Sequence, residues 1–369
     1  MALPEPSFIT RDPEAVAAEM IAAYEAATGR TLQPAQVERV LIDLVAYRES
    51  LLRVAIQEAA KQNLVEYAIF PMLDYLGELV GVTRLAAQAA RCGVRFYLTE
   101  AQTFDVTVPA GTRIETKDGL FVFETEFNLT VPAGSAYGDV SAICQTAGAS
   151  GNGYVAGYVN GLLDVDANIN SAANTETTSG GSDEETDDAL RQRIKLAPER
   201  FSNAGSYGAY RYWAMSSHPD IVDVSVVSPG AGTVNIYPLT KTGTPSQTIL
   251  DAVAAVCSAE TVRPLCDLVQ VAAPTEKAFA ISADISLYDW ADSVTVQDEV
   301  AAALGEYVAG LRSTLGRDVI LSRIVAVING IQGVYKTDLA EPAADEVNAL
   351  NEWSNCSAIT VNVIGFNNG

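Results

Sequence analysis

The chain has 369 residues, 49% of them hydrophobic and 19% charged, which is too long for one hydrophobic core and too apolar for a disordered chain. Its 46 acidic residues against 23 basic ones give a formal charge of −23, so binding that depends on neutralising phosphates, on nucleic acid or on an anionic membrane surface, is disfavoured. The acidity reads first as solubility in a crowded compartment and second as a means of docking against basic patches on partner subunits.

Residues 1–7 carry neither a basic nor an apolar segment, so no export signal is read and synthesis is expected to end in the cytoplasm. Asp12-Pro13-Glu14 opens a short helix with a capping acid and a proline at the first helical position, and Gly29 closes it. Val16, Met20 and Tyr24 fall on one of its faces. After Pro34 neither Gly nor Pro occurs until Pro71, which allows a helix of roughly 30 to 35 residues, about 50 Å long. Val40, Leu44, Tyr47, Leu51 and Val54 keep heptad spacing along it, and Leu41, Val45, Leu52 and Ala55 run beside them as a second stripe. A two-stranded coiled coil needs only the first stripe, so the wider face predicts a helix held between at least two neighbours. Residues 13–28 supply one. The second is either the segment from 73 to 90 folding back or another chain, and Glu58, Lys61 and Glu66 place any intersubunit part nearer Pro34.

From residue 91 to about 174 the period changes to two: Val94, Phe96, Leu98; Phe104, Val106, Val108; Phe121, Phe123; Leu129, Val131. Pro109-Ala110-Gly111 and Pro132-Ala133-Gly134 are turn chemistry, and together these predict a meander or small sandwich. Residues 148–174, rich in Gly, Asn and Ala, read as an extended return strand with loops. Gly180-Gly181-Ser182-Asp183 then leads through Glu184, Glu185, Asp187 and Asp188 to Arg191 and Arg193. This is a glycine hinge, a helix capped by Ser182 or Asp183 with acids at its positive end, and a basic helix terminus: a domain junction.

The remainder alternates helices and strands. Helices are expected at 209–217, 247–259, 296–311 and 321–329, and strands at 221–227, 233–236, 268–271, 279–287, 331–335 and 360–363. Thr233-Val234-Asn235 and Thr360-Val361-Asn362 suggest a weak internal repeat of two helix-plus-antiparallel-sheet units. The fold class is therefore α+β and multidomain: an N-terminal helical, bundle-forming region at 1–90, a β-rich domain at 91–175, and α+β domains at 176–272 and 273–369.

No catalytic constellation is found. His218, the single histidine, stands before Pro219 at a helix end, where a surface or capping role is expected, and no G-x-S-x-G occurs. Gly151-Asn152-Gly153 neither follows a clear buried strand nor opens a helix, so no cofactor loop is assigned. Asp164-Val165-Asp166-Ala167-Asn168 mimics the start of a calcium loop but has Ile169 and Thr175 where glycine and glutamate belong, leaving at most an incidental ion site. The acids at 183–188 are a solvated helix start. The cysteines, Cys92, Cys144, Cys257, Cys266 and Cys356, are odd in number and lack C-x-x-C spacing, which predicts buried free thiols; a Cys257–Cys266 bridge is the nearest alternative. No apolar run, Ile324–Ile328 included, is long enough to span a bilayer. Tyr207, Tyr210, Tyr212 and Trp213 crowd one short helix, which offers its aromatics either to the core or to core and partner together.

Several of these segments resemble, in order, the baseplate J family of contractile phage tails and related injection machines. The junction at Gly180 to Ile194 is similar to the family's own, as are Gly205-Ser206-Tyr207-Gly208-Ala209-Tyr210-Arg211-Tyr212-Trp213 and Pro219-Asp220-Ile221-Val222-Asp223-Val224 after it. Leu73-Asp74-Tyr75-Leu76-Gly77-Glu78-Leu79-Val80-Gly81 resembles the N-terminal exit motif. Val108-Pro109-Ala110-Gly111-Thr112, Phe123-Glu124-Thr125, Val131-Pro132-Ala133-Gly134 and Gly148-Ala149-Ser150-Gly151 lie between. The specific likeness runs from about residue 73 to 234; outside it only the general character is shared.

The resemblance implies a non-enzymatic wedge subunit of a tail baseplate, assembled in the host cytoplasm, without cofactor, nucleic-acid contact or membrane insertion. It implies that the N-terminal helices bundle with a second copy and another wedge protein, that C-terminal domains join neighbouring wedges in a ring around the hub, and that the ring holds the sheath initiator and tail-fibre attachment proteins and passes the contraction trigger to the sheath. Val40, Leu41, Leu44, Val45, Tyr47, Leu51, Leu52, Tyr210 and Trp213 are then the partner-interface candidates. Two other readings stay open: a receptor-binding or glycan-degrading tail protein using aromatics and carboxylates as a sugar groove, and a secreted acidic adhesin, against which the missing export signal counts.

Overall fold

The computed structural model describes residues 4–164, 167–201 and 205–368. The chain divides into two compact units, residues 1–83 with 190–195, and residues 84–189 with 196–369.

The first unit is helical. α1 (Pro13–Thr28) begins as its sequence dictates: the Asp12 carboxylate accepts the Glu14 amide at 3.0 Å, Pro13 takes a position that needs no amide, and Gly29 closes the helix at φ +68°. Val16 is buried, and Met20 and Tyr24 are half-buried on the same face. α2 (Val37–Lys61) has 25 residues, fewer than the breaker-free stretch allowed. Asn63 stops it, its side-chain amide donating to the carbonyls of Ala59 and Ala60 and competing with the backbone ladder. In α3 (Met72–Leu79), Leu73 and Gly77 are buried, and a Cβ on Gly77 would lie 2.7 Å from the Val82 carbonyl oxygen.

Residues 190–195 complete this unit. Arg191 donates to the carbonyls of Val65 and Ala68, each at 2.8 Å, and the buried Arg193 donates to that of Thr83 at 2.6 Å. Lys195 pairs with Glu66. Beyond any dipole effect, then, these bases satisfy carbonyls of the irregular backbone around α3, as charge-assisted bonds do well.

In the second unit, β1 (Ala89–Leu98), β3 (Arg113–Thr116), β4 (Val122–Thr125), β6 (Tyr137–Ala147), β7 (Val159–Leu162) and β8 (Ile169–Asn174) form an antiparallel sheet of order β7-β3-β4-β6-β1-β8. β2 (Val106–Val108) and β5 (Leu129–Val131) pair separately. Alternation puts Val94, Phe96, Ile114, Phe123, Val131 and Val159 into one core. Phe104 lies outside it, exposed, ahead of β2. Gly111 and Gly134 take φ of +83° and +82°, as the Pro-Ala-Gly turns require.

After α4 (Asp187–Leu196) come α5 (Tyr207–Met215), β9 (Ile221–Gly230), β10 (Thr233–Thr240), α6 (Gln247–Cys257) and β11 (Leu268–Val271), around a core that includes Tyr210, Ala214, Val224, Ile236, Ile249 and Val253. A third core, with Ile281, Ile285, Val300, Leu304, Ile324 and Ile328, lies within β12 (Thr275–Tyr288), α7 (Ser293–Arg312), α8 (Leu321–Asn329), β13 (Val334–Glu341) and β14 (Glu352–Asn367).

The chain is thus α+β and multidomain, with a helical start and a β-rich middle. Its two C-terminal sheets, expected to be antiparallel, are mixed. β10 pairs antiparallel with β9 and parallel with β11; β12 pairs antiparallel with β13 and parallel with β14. α6 lies between β10 and its parallel neighbour β11, whereas α7, α8 and β13 all lie between β12 and its parallel neighbour β14. The repeat read from Thr-Val-Asn does not hold, because Thr233 lies on the central strand β10 and Thr360 on the outer strand β14. The helix–strand pairs α5–β9 and α8–β13 do occupy like positions, each strand being the antiparallel neighbour of its central strand.

Candidate partner interface

α2 is amphipathic with its faces reversed. Arg39, Ile42, Ala46, Glu49, Ser50, Arg53 and Gln57 recur at helical spacing, and this small and polar stripe is the buried or half-buried one. Gln57, fully buried, holds the segment before α1: its Oε1 accepts the Phe8 amide at 2.8 Å and its Nε2 donates to the Pro6 carbonyl at 2.7 Å. Ser50 donates to the Ala46 carbonyl at 2.8 Å, so its hydroxyl is satisfied without a larger neighbour. Arg53 reaches Glu49, Glu19 and the Thr10 carbonyl, and Lys61 reaches Glu5 at 3.1 Å. The hydrogen bond to Glu49 raises the Arg53 pKa, and those to Glu5 and Glu58 raise that of Lys61, so both stay charged.

Apart from Ile42, the large apolar side chains point the other way. Val40, Leu41, Leu44, Val45, Tyr47, Leu51 and Leu52 are between 47 and 64% exposed, and Val37, Val54 and Ile56 join them. α1, expected to cover one stripe, packs on the small and polar stripe instead, and within the first unit residues 73–83 leave both apolar stripes exposed. Monomeric proteins rarely leave so continuous an apolar strip in water. Polar residues were the missed signal: Gln57 and Ser50 at the spacing of a buried face.

Of the other interface candidates, Tyr210 is buried and Trp213 half-buried. Tyr210 is 1% exposed and donates its hydroxyl to Asp267 at 2.8 Å; burial, reinforced by that carboxylate, raises its pKa. Trp213 is half-buried against the same core, edge-to-face with Tyr212 at 5.2 Å. With Tyr210 and Tyr212 both buried, α5 builds no sugar groove from them.

His218 is buried, not on the surface. Its Nδ1 accepts the Asp220 amide at 3.2 Å, its Nε2 lies 3.4 Å from the Gly180 carbonyl oxygen, and burial lowers its pKa. At the junction, Ser182 bridges to Gln88, and Asp183 accepts the Ala149 amide at 3.0 Å. Neither caps the helix, which starts at Asp187 with Thr186 Oγ1 accepting the Ala189 amide at 3.4 Å. Glu185 is buried, not solvated, and its carboxylate accepts the Leu85 amide at 3.0 Å. Gly181 has no room for a side chain, since a Cβ would sit 2.5 Å from the Gly148 carbonyl oxygen.

Of the calcium-like stretch, Val165 and Asp166 lie outside the described residues, and Asp164 is taken by Arg113 at 2.7 Å. Among the described residues no three His, Cys, Asp or Glu side chains are grouped to hold a metal ion, and no helix is long and apolar enough to cross a membrane. All the cysteines are free. Cys92, Cys144 and Cys257 are buried, Cys266 is exposed, and burial pushes the Cys92 and Cys257 thiols up to about 12. A polar cleft is lined by Arg91, Gly93, Glu176, Gln247 and Asp251, whose groups are mutually engaged: Glu176 accepts the Gly93 amide at 3.0 Å and Gln247 donates to Asp251 at 2.8 Å.

Four family models match the chain in order: a Baseplate J-like N-terminal domain at 39–91, a Baseplate J-like protein barrel domain at 93–181, a Baseplate J-like central domain at 202–273 and a Baseplate J-like protein C-terminal domain at 279–362. Baseplate protein J of Escherichia phage P2 is 34% identical over 179 residues, covering 48% of this chain and 59% of that protein. Putative baseplate protein gp29 of Haemophilus phage HP1 is 33% identical over 186 residues, covering 47% of this chain and 46% of that protein. The alignments thus span about half the length of these curated relatives. Among solved structures, a chain of the six-fold symmetrised anti-feeding prophage baseplate aligns at a TM-score of 0.44 with 14% identity, covering 93% of this chain and 90% of that one.

Proposed function

Since the chain belongs to the baseplate J-like family, we propose that it is a structural subunit of the baseplate of a contractile tail or injection machine, working through its contacts with neighbours and not by catalysis. In this reading α2 bundles with a second copy and with another wedge protein, and the C-terminal domains join neighbouring wedges in a ring around the hub. The ring seats the sheath initiator and tail-fibre attachment proteins, and it passes the contraction trigger to the sheath by exchanging one set of interfaces for another.

The observation that carries the reading is the uncovered apolar strip of α2. Burying one Val or Leu side chain contributes about 1.5–3 kcal/mol. Strips of this width therefore hold a bundle firmly once partners are present. Until then the small and polar stripe of Ala46, Ser50 and Gln57 lets α2 remain folded on α1 and the segment before it. The relatives named as baseplate proteins support the same location, in the tail of a virion.

The test is the double variant Leu44→Asp with Leu51→Asp. Both side chains are exposed, so the circular dichroism of the purified protein is expected to stay unchanged, while assembly with the other wedge components is lost and no tail particles carrying the protein are seen by cryo-EM. Particles that assemble normally with this variant would remove the basis of the reading.

A further inference from the structure

The two α+β domains after α4 have separate cores, yet the boundary between them is closely held. Ala272 still belongs to the first domain, its amide donating to the Ile236 carbonyl at 3.1 Å, and Thr275 already belongs to the second, its amide donating to the Asn351 carbonyl at 2.9 Å. Only Ala273 and the buried Pro274 lie between. Three further contacts cross the boundary far from this linker. Asp223 on β9 is 7% exposed and its carboxylate is shared: Oδ1 pairs with Arg211 of α5 at 2.7 Å and accepts the Val224 amide at 2.9 Å, whereas Oδ2 accepts the Leu315 amide, from the turn after α7, at 2.9 Å. Arg312, the last residue of α7, donates to the Thr242 carbonyl at 3.1 Å. Trp353 of β14, 2% exposed, lies so close over Gly243 that a Cβ there would come within 2.7 Å of its ring.

We propose that these contacts are a latch, centred on Asp223, that makes the two α+β domains move as one body. A buried carboxylate is costly unless its oxygens find donors. Asp223 draws the donors for Oδ1 from its own domain, but the donor for Oδ2 comes from the neighbouring one. Parting the domains therefore strips a charge of a hydrogen bond and uncovers the face of Trp353, a side chain that buries roughly 150–250 Å². Two linker residues reach at most about 7 Å, so released domains pivot on each other without separating. The latch decides whether they pivot. While it is closed, a force applied to either domain is carried to the other undiminished, and a change in the shape of the chain has to occur elsewhere.

This inference goes beyond the proposed function and does not rest on it, because the latch closes within a single chain. The test is native-state hydrogen exchange of the full chain in rising urea, read in peptides from 221–240 and from 279–311. In the unaltered protein the two sets are expected to open together in one cooperative step. Leu315→Pro deletes the crossing amide without touching the first domain, and proline is favoured one place before a turn glycine such as Gly316, at φ +65°. Combined with Arg312→Ala, it is expected to split the step in two, with one domain opening about tenfold or more often than the other. Asp223→Ala breaks the same contact from the other side and is expected to split it likewise. Arg211→Ala removes the pairing inside the first domain alone, and is expected to lower the midpoint while keeping one step. Separate steps in the unaltered protein or in Arg211→Ala, or a single step in either latch variant, overturns the proposal.

Discussion

α2 and α7 are both long amphipathic helices, and they use their apolar faces in opposite ways. α7 buries Val296, Val300, Leu304 and Leu311 within its own domain, beside β12 and β14. α2 turns Ala46, Ser50 and Gln57 inward and leaves Leu44, Leu51 and their neighbours in water. Hydrophobic period says that a face will be covered; it does not say by whom. What separates the two helices is the opposite face. On α7 that face carries the exposed Asp298, Glu299 and Glu306, as a solvated surface does, whereas on α2 its buried members are Ala46, Ser50 and Gln57, small and amide side chains set among half-buried Arg39, Ile42, Glu49 and Arg53.

The contrast breaks most plainly under truncation. Leu304→Ala is expected to cost about 2–5 kcal/mol, the range for deleting a buried leucine side chain, read as a lower urea midpoint. Leu44→Ala in the isolated protein is expected to change stability by no more than about 0.5 kcal/mol, as at other exposed positions. Equal losses would mean that α2 has a covering neighbour within its own chain.

Next in size is Gln57→Leu, which keeps bulk but deletes both bonds to the N-terminal segment. The Phe8 amide and Pro6 carbonyl lose their partner at the price of about 1–3 kcal/mol. Limited proteolysis is expected to cut residues 4–10 faster, with the outward strip of α2 unaffected. If a leucine there served as well as glutamine, the inward face of α2 would be generic, and its polar character would explain nothing.

Local chemistry was legible and pairing at a distance was not. Asp12, Pro13 and Gly29 announced α1 because capping and left-handed closure involve only adjacent residues. Strands β1, β2, β4 and β5 were visible in their alternation, but β6 hid, since the residues it buries are Ala142 and Cys144 and its other positions are mostly polar. The parallel placement of β11 and β14 depends on contacts with strands distant in sequence and leaves no local trace. The apolar strip of α2 is visible in its heptad spacing, yet its exposure depends on which side α1 packs against. Tyr210 and Trp213 had the composition of an interface, and only Asp267, 57 residues beyond Tyr210, shows that the first of them belongs inside. Arg191 and Arg193 look like helix-end bases until the carbonyls of Val65, Ala68 and Thr83 are placed beside them.

The smallest expected effect is a pH dependence confined to the second unit. The polar contacts of α2 involve Arg53 and Lys61, whose pKa values are raised and which stay charged throughout the neutral range. The second unit holds His218, the only histidine, whose pKa is lowered from 6.5 mainly because burial disfavours the imidazolium. The unfolded chain therefore takes up the proton more readily than the folded one. Stability from this group is complete above pH 6.5 and is lost as pH falls through the lowered folded value. The tryptophans, Trp213, Trp290 and Trp353, all lie in that unit, so their fluorescence reports it alone. Urea midpoints read this way are expected to fall between about pH 7.5 and about pH 5.5, and to fall less in His218→Gln. Amide protection factors at Tyr24 and Tyr47 in the first unit, which remove the intrinsic pH dependence of exchange, are expected to be flat over the same range. A slope unchanged by His218→Gln would take the titration away from this histidine and remove the contrast between the two units.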